Sequence, residues 1–241
     1  MPRYYITPGG TYSSLYADMA KQPHLLIAGA TGSGKSVVIN GIIAFLLTGS
    51  APTQADLILI DPKRVELVQY RAVPHCVYYA SEPGEPAKAL KKALAITEDR
   101  YRAMQAEGVR KYAGGHLYVI IDELADLMTT DKKNVQPLLQ RLCQIGRAAN
   151  VHVIAATQCP LASVIPTSIK CNFDARVGLR TRSAQDSRNI LGVTGCENLP
   201  RYGQGYYMTP EGIDRWNLPM IPDADLDRLV RWWTGPSCLT A

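Results

Sequence analysis

GATGSGKSVV, residues 29–38, decides the fold. Gly29, Gly34, Lys35 and Ser36 stand at the spacing Gly-x-x-x-x-Gly-Lys-Ser, behind the apolar run HLLIAG (24–29) and ahead of the helix-like VVINGIIAFLL. A strand that ends in glycines and opens a helix turns backbone amides toward one point, and a phosphate chain fits that point. Gly29, Ala30, Thr31, Gly32, Ser33, Gly34, Lys35, Ser36 and Val37 are therefore expected to wrap a nucleotide triphosphate, ATP with Mg2+. Lys35 would reach the terminal phosphates, and the Ser36 hydroxyl would be a magnesium ligand.

A P-loop of this kind needs an acidic partner on a nearby strand. LYVIIDE (117–123) supplies it, with five apolar residues for a buried strand, Asp122 at its carboxyl end near the metal, and Glu123 just beyond as the base for water. Gln158 ends another apolar strand, VHVIAATQ, where its amide senses the γ-phosphate or positions water, or else serves only the turn.

Away from these motifs the chain alternates short β-branched runs with helical periodicity, the rhythm of a wound parallel sheet. Strands are expected at 24–29, 56–61, 75–80, 117–122, 151–157 and 174–180. Helices are expected after Lys35 and over 86–107, 134–149 and 184–191, followed by a late hairpin from YGQGYYMTP into DRWNLPMI. The tail from Asp223 sets Leu226, Leu229, Val230 and Trp233 on one helical face, to pack on the domain or on a neighbouring subunit. The expected architecture is a RecA-like α/β P-loop NTPase with a central, mostly parallel sheet flanked by helices. Its domain would run over 23–220, between a lead-in of 1–22 and a helix and tail of 221–241.

Composition narrows the function classes. With 46% apolar and 20% charged residues in 241, the chain is of ordinary globular type. Its apolar runs stop near ten residues, short of the ~20 that a membrane-spanning helix needs. No insertion into a membrane by this chain is expected, and MPRYYITPGG lacks a signal-peptide pattern, which leaves the cytoplasm as compartment, with recruitment to a membrane by a partner as an option. Six scattered cysteines show no metal spacing. A net charge of +5 tolerates a polyanion without demanding one.

What the nucleotide drives is carried by other stretches. IDPKRVELVQY (60–70), RAMQAEGVRKYAGG (102–115), VIIDELADLM (119–128), RLCQIGRAANVHVIAATQCP (141–160), IPTSIKCNFDARVGLR (165–180) and DSRNILGVTGCENL (186–199) occur in this order. Together they resemble the motor domain of the FtsK/SpoIIIE DNA translocases, over roughly residues 23–210. The resemblance implies a hexameric ring that hydrolyses ATP and pumps double-stranded DNA through its pore. It implies that Arg147 in IGRAANVH is the arginine finger that reaches the next subunit's ATP, where a solvent-facing helix arginine is the plainer alternative. Arg188 corresponds to a position near the nucleotide or the interface, with a salt-bridged helix arginine as the alternative. Lys63 and Glu66 match the family's pattern and suggest only an interface ion pair.

Two segments suit contact with DNA phosphates: Arg110 and Lys111 on a glycine-flanked loop, and Ser163, Thr167, Ser168 and Lys170 near the start of a helix. The chain also departs from the family. Cys159 stands where an arginine is usual, and the loop between Tyr112 and the second acidic strand is cut short. The family's anchor, linker and winged-helix module find no counterpart here, so no orienting sequence would be read. A motor trimmed in this way suits a mobile element, conjugative system or phage, with a membrane-channel, relaxase or capsid partner. The competing readings are a coupling or packaging ATPase that acts on single strands or nucleoprotein, and an ATP-gated module that tethers DNA without moving it.

Overall fold

The structure, a computed structural model, describes residues 21–161, 163–217 and 220–235, Met19, and the backbone of two short strands. Those strands, β1 (Tyr4–Ile6) and β2 (Leu15–Ala17), pair antiparallel with each other. The rest builds on one eight-stranded sheet. Its strands are β3 (His24–Ala28), β4 (Ala55–Ile60), β5 (Cys76–Ala80), β6 (His116–Ile121), β7 (Val151–Thr157), β8 (Ala175–Gly178), β9 (Gln204–Thr209) and β10 (Gly212–Asn217). They lie in the order β10-β9-β8-β3-β7-β6-β4-β5. The six from β8 to β5 are parallel, and the β9–β10 hairpin closes one edge antiparallel. The expected mostly parallel α/β sheet is therefore what the chain forms.

Parallel strands covered on both faces are apolar throughout, because neither face meets water. β3 and β7 are buried at every residue. Alternation sorts their side chains between two cores. Leu25 and Ile27 of β3, Leu57 and Leu59 of β4, and Ile154 of β7 face α1 (Lys35–Gly49) and α7 (Asp223–Thr234). Leu26, Ile58, Val119 and Val153 face the other core, which is covered by α2 (Glu85–Glu107), α3 (Leu124–Thr130), α4 (Lys132–Ile145) and α5 (Thr167–Lys170). A last helix, α6 (Ala184–Leu191), follows β8. Helix α7 lays Leu226, Leu229, Val230 and Trp233 on its own domain, and the Trp233 indole N–H donates to the Leu47 carbonyl at 2.9 Å.

Two helical boundaries differ from expectation. The stretch 134–149 is not one helix: α4 ends at Ile145, and a single 3-10 turn covers Arg147–Ala149. The chain folds back so tightly at Gly146 that a Cβ there would lie 2.7 Å from the Val151 carbonyl oxygen. Asn150 then takes a left-handed φ of 52°, and its amide donates to the Tyr112 and Gly114 carbonyls. Helix α3, which no periodicity announced, begins directly after Glu123, whose carboxylate accepts the Ala125 N–H at 3.4 Å. The expected boundaries of the lead-in and tail fall partly on residues outside those described, as does Cys238. The other five cysteines are unpaired.

Beneath the amino edge of the sheet lie two buried histidines in fixed tautomers. His24 Nδ1 accepts the Val153 N–H at 3.0 Å, so its Nε2–H donates to the Cys143 carbonyl. His152 Nδ1–H donates to the Pro23 carbonyl, which leaves Nε2 to accept from His116 at 2.9 Å. Burial drags His24 to about 4; burial, then the neighbouring His116, takes His152 to about 3. Both are therefore neutral in the fold, whereas the unfolded chain takes up protons below about pH 6.5. The stability that these two histidines contribute should be level above that pH and fall as pH drops from 6.5 toward 4. The loss should be roughly 2 kcal/mol for each histidine by pH 5. Calorimetric melting at pH 7 and pH 5 checks this, and an unchanged midpoint would contradict it.

Candidate functional site

The site lies at the carboxyl edge of the parallel strands, where β3, β6 and β7 end side by side. Beyond Ala28 the loop is fixed from both sides: Gly29 N–H donates to the Thr157 carbonyl, and Ala30 N–H to Arg180. Gly32 and Gly34 have φ of 71° and 101°, left-handed values at which a side chain would be strained, and they swing the loop into α1. Helix α1 opens without a side-chain cap or an acidic residue in its first turn, so its amides stay available to an anion. Lys35 is buried in the cradle, with Nζ 2.9 Å from both the Gly29 and Ala30 carbonyls. Burial brings its ammonium down to about 8, against the opposing pull of Glu123 and Asp122.

Opposite, Asp122 N–H continues the β4–β6 ladder to the Ile60 carbonyl, which holds the buried Asp122 side chain at the strand end. Burial, and then the Asp61, Glu66 and Glu123 carboxylates, push its acid up to about 7, with Lys63 opposing. Such a crowd of carboxylates favours a nearby cation. Among the described residues no cluster of three His, Cys, Asp or Glu side chains could cage a metal alone. One carboxylate and the Ser36 hydroxyl instead suit Mg2+, which prefers few protein ligands and shares its shell with phosphates and water. The residues therefore fit this metal.

Glu123 is only 2% exposed. Both of its oxygens accept the Gln158 backbone N–H, at 3.0 and 3.2 Å, while the Gln158 side-chain oxygen accepts from the Thr31 hydroxyl at 2.6 Å. Gln158 thus ties the P-loop to the acidic strand through β7, which lies between them. A cavity of about 320 Å³ opens beside this junction, lined by Thr31, Gln158, Cys159, Arg182 and Asp186 among others.

The described residues thus bring the P-loop, Asp122, Glu123 and Gln158 onto one edge of the sheet. The sequence profile of the FtsK/SpoIIIE family matches residues 6–118 and 115–162. A protein of Rhizobium meliloti described as DNA translocase FtsK is 37% identical over 94% of this chain. The chain belongs to the FtsK/SpoIIIE family. It spans 30% of the Rhizobium protein, and 35% of a DNA translocase FtsK of Rickettsia prowazekii that is 36% identical over 90% of the chain. The fold recurs in solved structures. The pCW3 conjugation coupling protein TcpA, in a form with ATPγS, superposes over 91% of this chain and 67% of its own with a TM-score of 0.78 at 24% identity. EssC from Geobacillus thermodenitrificans (ATPases 2 and 3) covers 95% of this chain and 47% of its own, with a TM-score of 0.83 at 15% identity.

Other sequence-derived candidates in this FtsK/SpoIIIE chain lie elsewhere. Arg147 is exposed on the turn that precedes β7, at the amino edge. With the seven residues of β7 between them, it stands on the order of 20 Å from Gln158 of its own chain. Arg110 and Lys111 are also exposed near that edge, because Tyr112 N–H donates to the Ala148 carbonyl beside Arg147. Ser163, Thr167 and Ser168 are exposed on the connection from β7 to β8. Arg188 is exposed on α6 and does not line the cavity, whereas Asp186 of the same helix does.

One expectation is corrected. Lys170 does not display its charge: Ile165, Ile169 and Phe173 draw α5 into the core, Lys170 is 8% exposed, and its ammonium donates to the Pro160 carbonyl at 3.0 Å. Within its own chain Lys63 stands beside Glu123 and Asp126, at 3.6 and 3.4 Å. Burial works to lower the Lys63 ammonium, yet Glu123 and Asp126 outweigh it and hold the ammonium above the usual lysine range.

Two arginines were not anticipated from the sequence: Arg182, which lines the same cavity as Cys159, and Arg201, whose guanidinium lies 3.5 Å from where a Cβ on Gly32 would stand. Loops that no motif marks bring both to the P-loop.

Proposed function

We propose that this chain is an ATP-hydrolysing motor that moves double-stranded DNA through a homohexameric ring. The observation that carries the reading is the buried Glu123, hydrogen-bonded to Gln158, whose side chain holds the P-loop through Thr31. A structural nucleotide site has no use for a base built in this way. In the proposed cycle Lys35 meets the terminal phosphates, Gln158 reports on them, and Glu123 takes a proton from the attacking water. When bound, a magnesium ion at Ser36 and Asp122 supplies charge neutralisation on the phosphate oxygens. Arg147, too far from its own nucleotide, serves the neighbour's, which makes assembly a condition of turnover.

Family membership supports DNA as the cargo, and exposed Arg110 and Lys111 suit phosphates rather than bases. ATP turnover should therefore rise equally with duplexes of unrelated sequence and less with single strands. DNA affinity should fall log-linearly with salt, and Arg110→Ala should shallow that slope by about 0.9, the share of one neutralised phosphate. Stimulation by single strands alone would favour a coupling or packaging ATPase instead, and no stimulation by any DNA would remove the motor reading.

A further inference from the structure

Donors crowd the Glu123 carboxylate. A carboxylate offers about four lone-pair sites. Gln158 N–H reaches both oxygens, Ala125 N–H reaches Oε1 at 3.4 Å, and the Lys63 ammonium stands 3.6 Å from Oε2. A water that is to lose its proton to Glu123 must approach past them, and on the Oε2 side it meets the Lys63 ammonium. The amides belong to the end of β7 and the first turn of α3, elements packed into the core. Lys63 alone is a side chain, 41% exposed, on the loop between β4 and β5.

That loop is built to hold Lys63 at this place. At its base the buried Asp61 carboxylate accepts the Leu67 N–H at 3.0 Å. At its tip Arg64 takes a left-handed φ of 58° and binds Glu82 at 2.6 Å. The ammonium also has somewhere else to go, since Asp126, in the first turn of α3, is 3.4 Å away and half-buried. Leaving Glu123 for Asp126 would not strand the charge.

We propose that Lys63 is a latch on the catalytic base. Resting on Glu123, it covers the oxygen that must face the attacking water; drawn to Asp126 alone, it uncovers that oxygen. Lys63 is thus a positioning residue that restrains hydrolysis, a role which rests on the reading of Glu123 as base.

The test uses the full chain with Mg2+ and ATP, measuring kcat and KM without DNA. Lys63→Gln, which keeps a polar stem of similar length, should raise basal kcat by about threefold with KM little changed, the scale of a half-exposed ion pair. Lys63→Arg should restore the restrained rate. A fall in kcat, or an unchanged kcat with folding confirmed by nucleotide affinity, overturns the latch. Glu123→Gln, measured alongside, separates the two claims. If it stays active the base assignment itself has failed; if it is inactive and Lys63→Gln is no faster, only the latch has failed.

Discussion

Lys35→Ala should abolish ATP binding, whereas Glu123→Gln should bind ATP and fail to cleave it. Lys35 is the buried cation of the cradle, and its removal leaves Gly29 and Ala30 carbonyls facing the phosphates with no positive charge between. Glu123 hydrogen-bonds the Gln158 amide rather than the P-loop itself, so its loss should spare affinity. Removal of a general base lowers turnover by about 10²–10⁴-fold. The amide of Glu123→Gln still offers one oxygen to the Gln158 N–H, so the local fold should persist. Nucleotide titration and steady-state hydrolysis on the same preparations check both, and near-normal turnover by Glu123→Gln would show that the base lies elsewhere.

Arg147→Ala should lower turnover by about 10³-fold or more with nucleotide affinity nearly intact, the usual scale for an arginine finger. The geometry makes this a statement about assembly. An exposed arginine at the amino edge cannot reach a nucleotide at the carboxyl edge of its own sheet, so it acts across an interface or not at all. Mixed rings of Arg147→Ala and Lys35→Ala subunits should regain part of the activity, because one kind of interface then joins an intact finger to an intact P-loop. Verified mixed rings without rescue would assign Arg147 a structural role.

How much of this was legible in the sequence follows from what each feature depends on. The central strands declared themselves, since β3, β6 and β7 are buried on both faces and can only be continuous apolar runs. Gly32 and Gly34 were equally plain, for their left-handed φ leaves little choice of residue. The pairing of Lys63 with Glu123 was not, because it depends on β4 lying beside β6, sixty residues later in the chain. Lys170 misled for a different reason. A lysine reads as a surface charge, and only the tertiary pull of Ile169 and Phe173 reveals that its stem is buried and its ammonium turned inward. Helix α3 escaped notice because its seven residues are too few to show a period.

Movement along duplex DNA is measured most directly by displacement of a third strand from a triplex. The duplex that stimulates turnover is given a triplex-forming strand downstream, and release of that strand is followed with ATP, with a non-hydrolysable analogue, and with Glu123→Gln. Release is expected only for the unmodified chain hydrolysing ATP, on duplexes of any sequence. Hydrolysis stimulated by duplex DNA with the third strand left in place would contradict it, and would leave a module that grips DNA without moving along it.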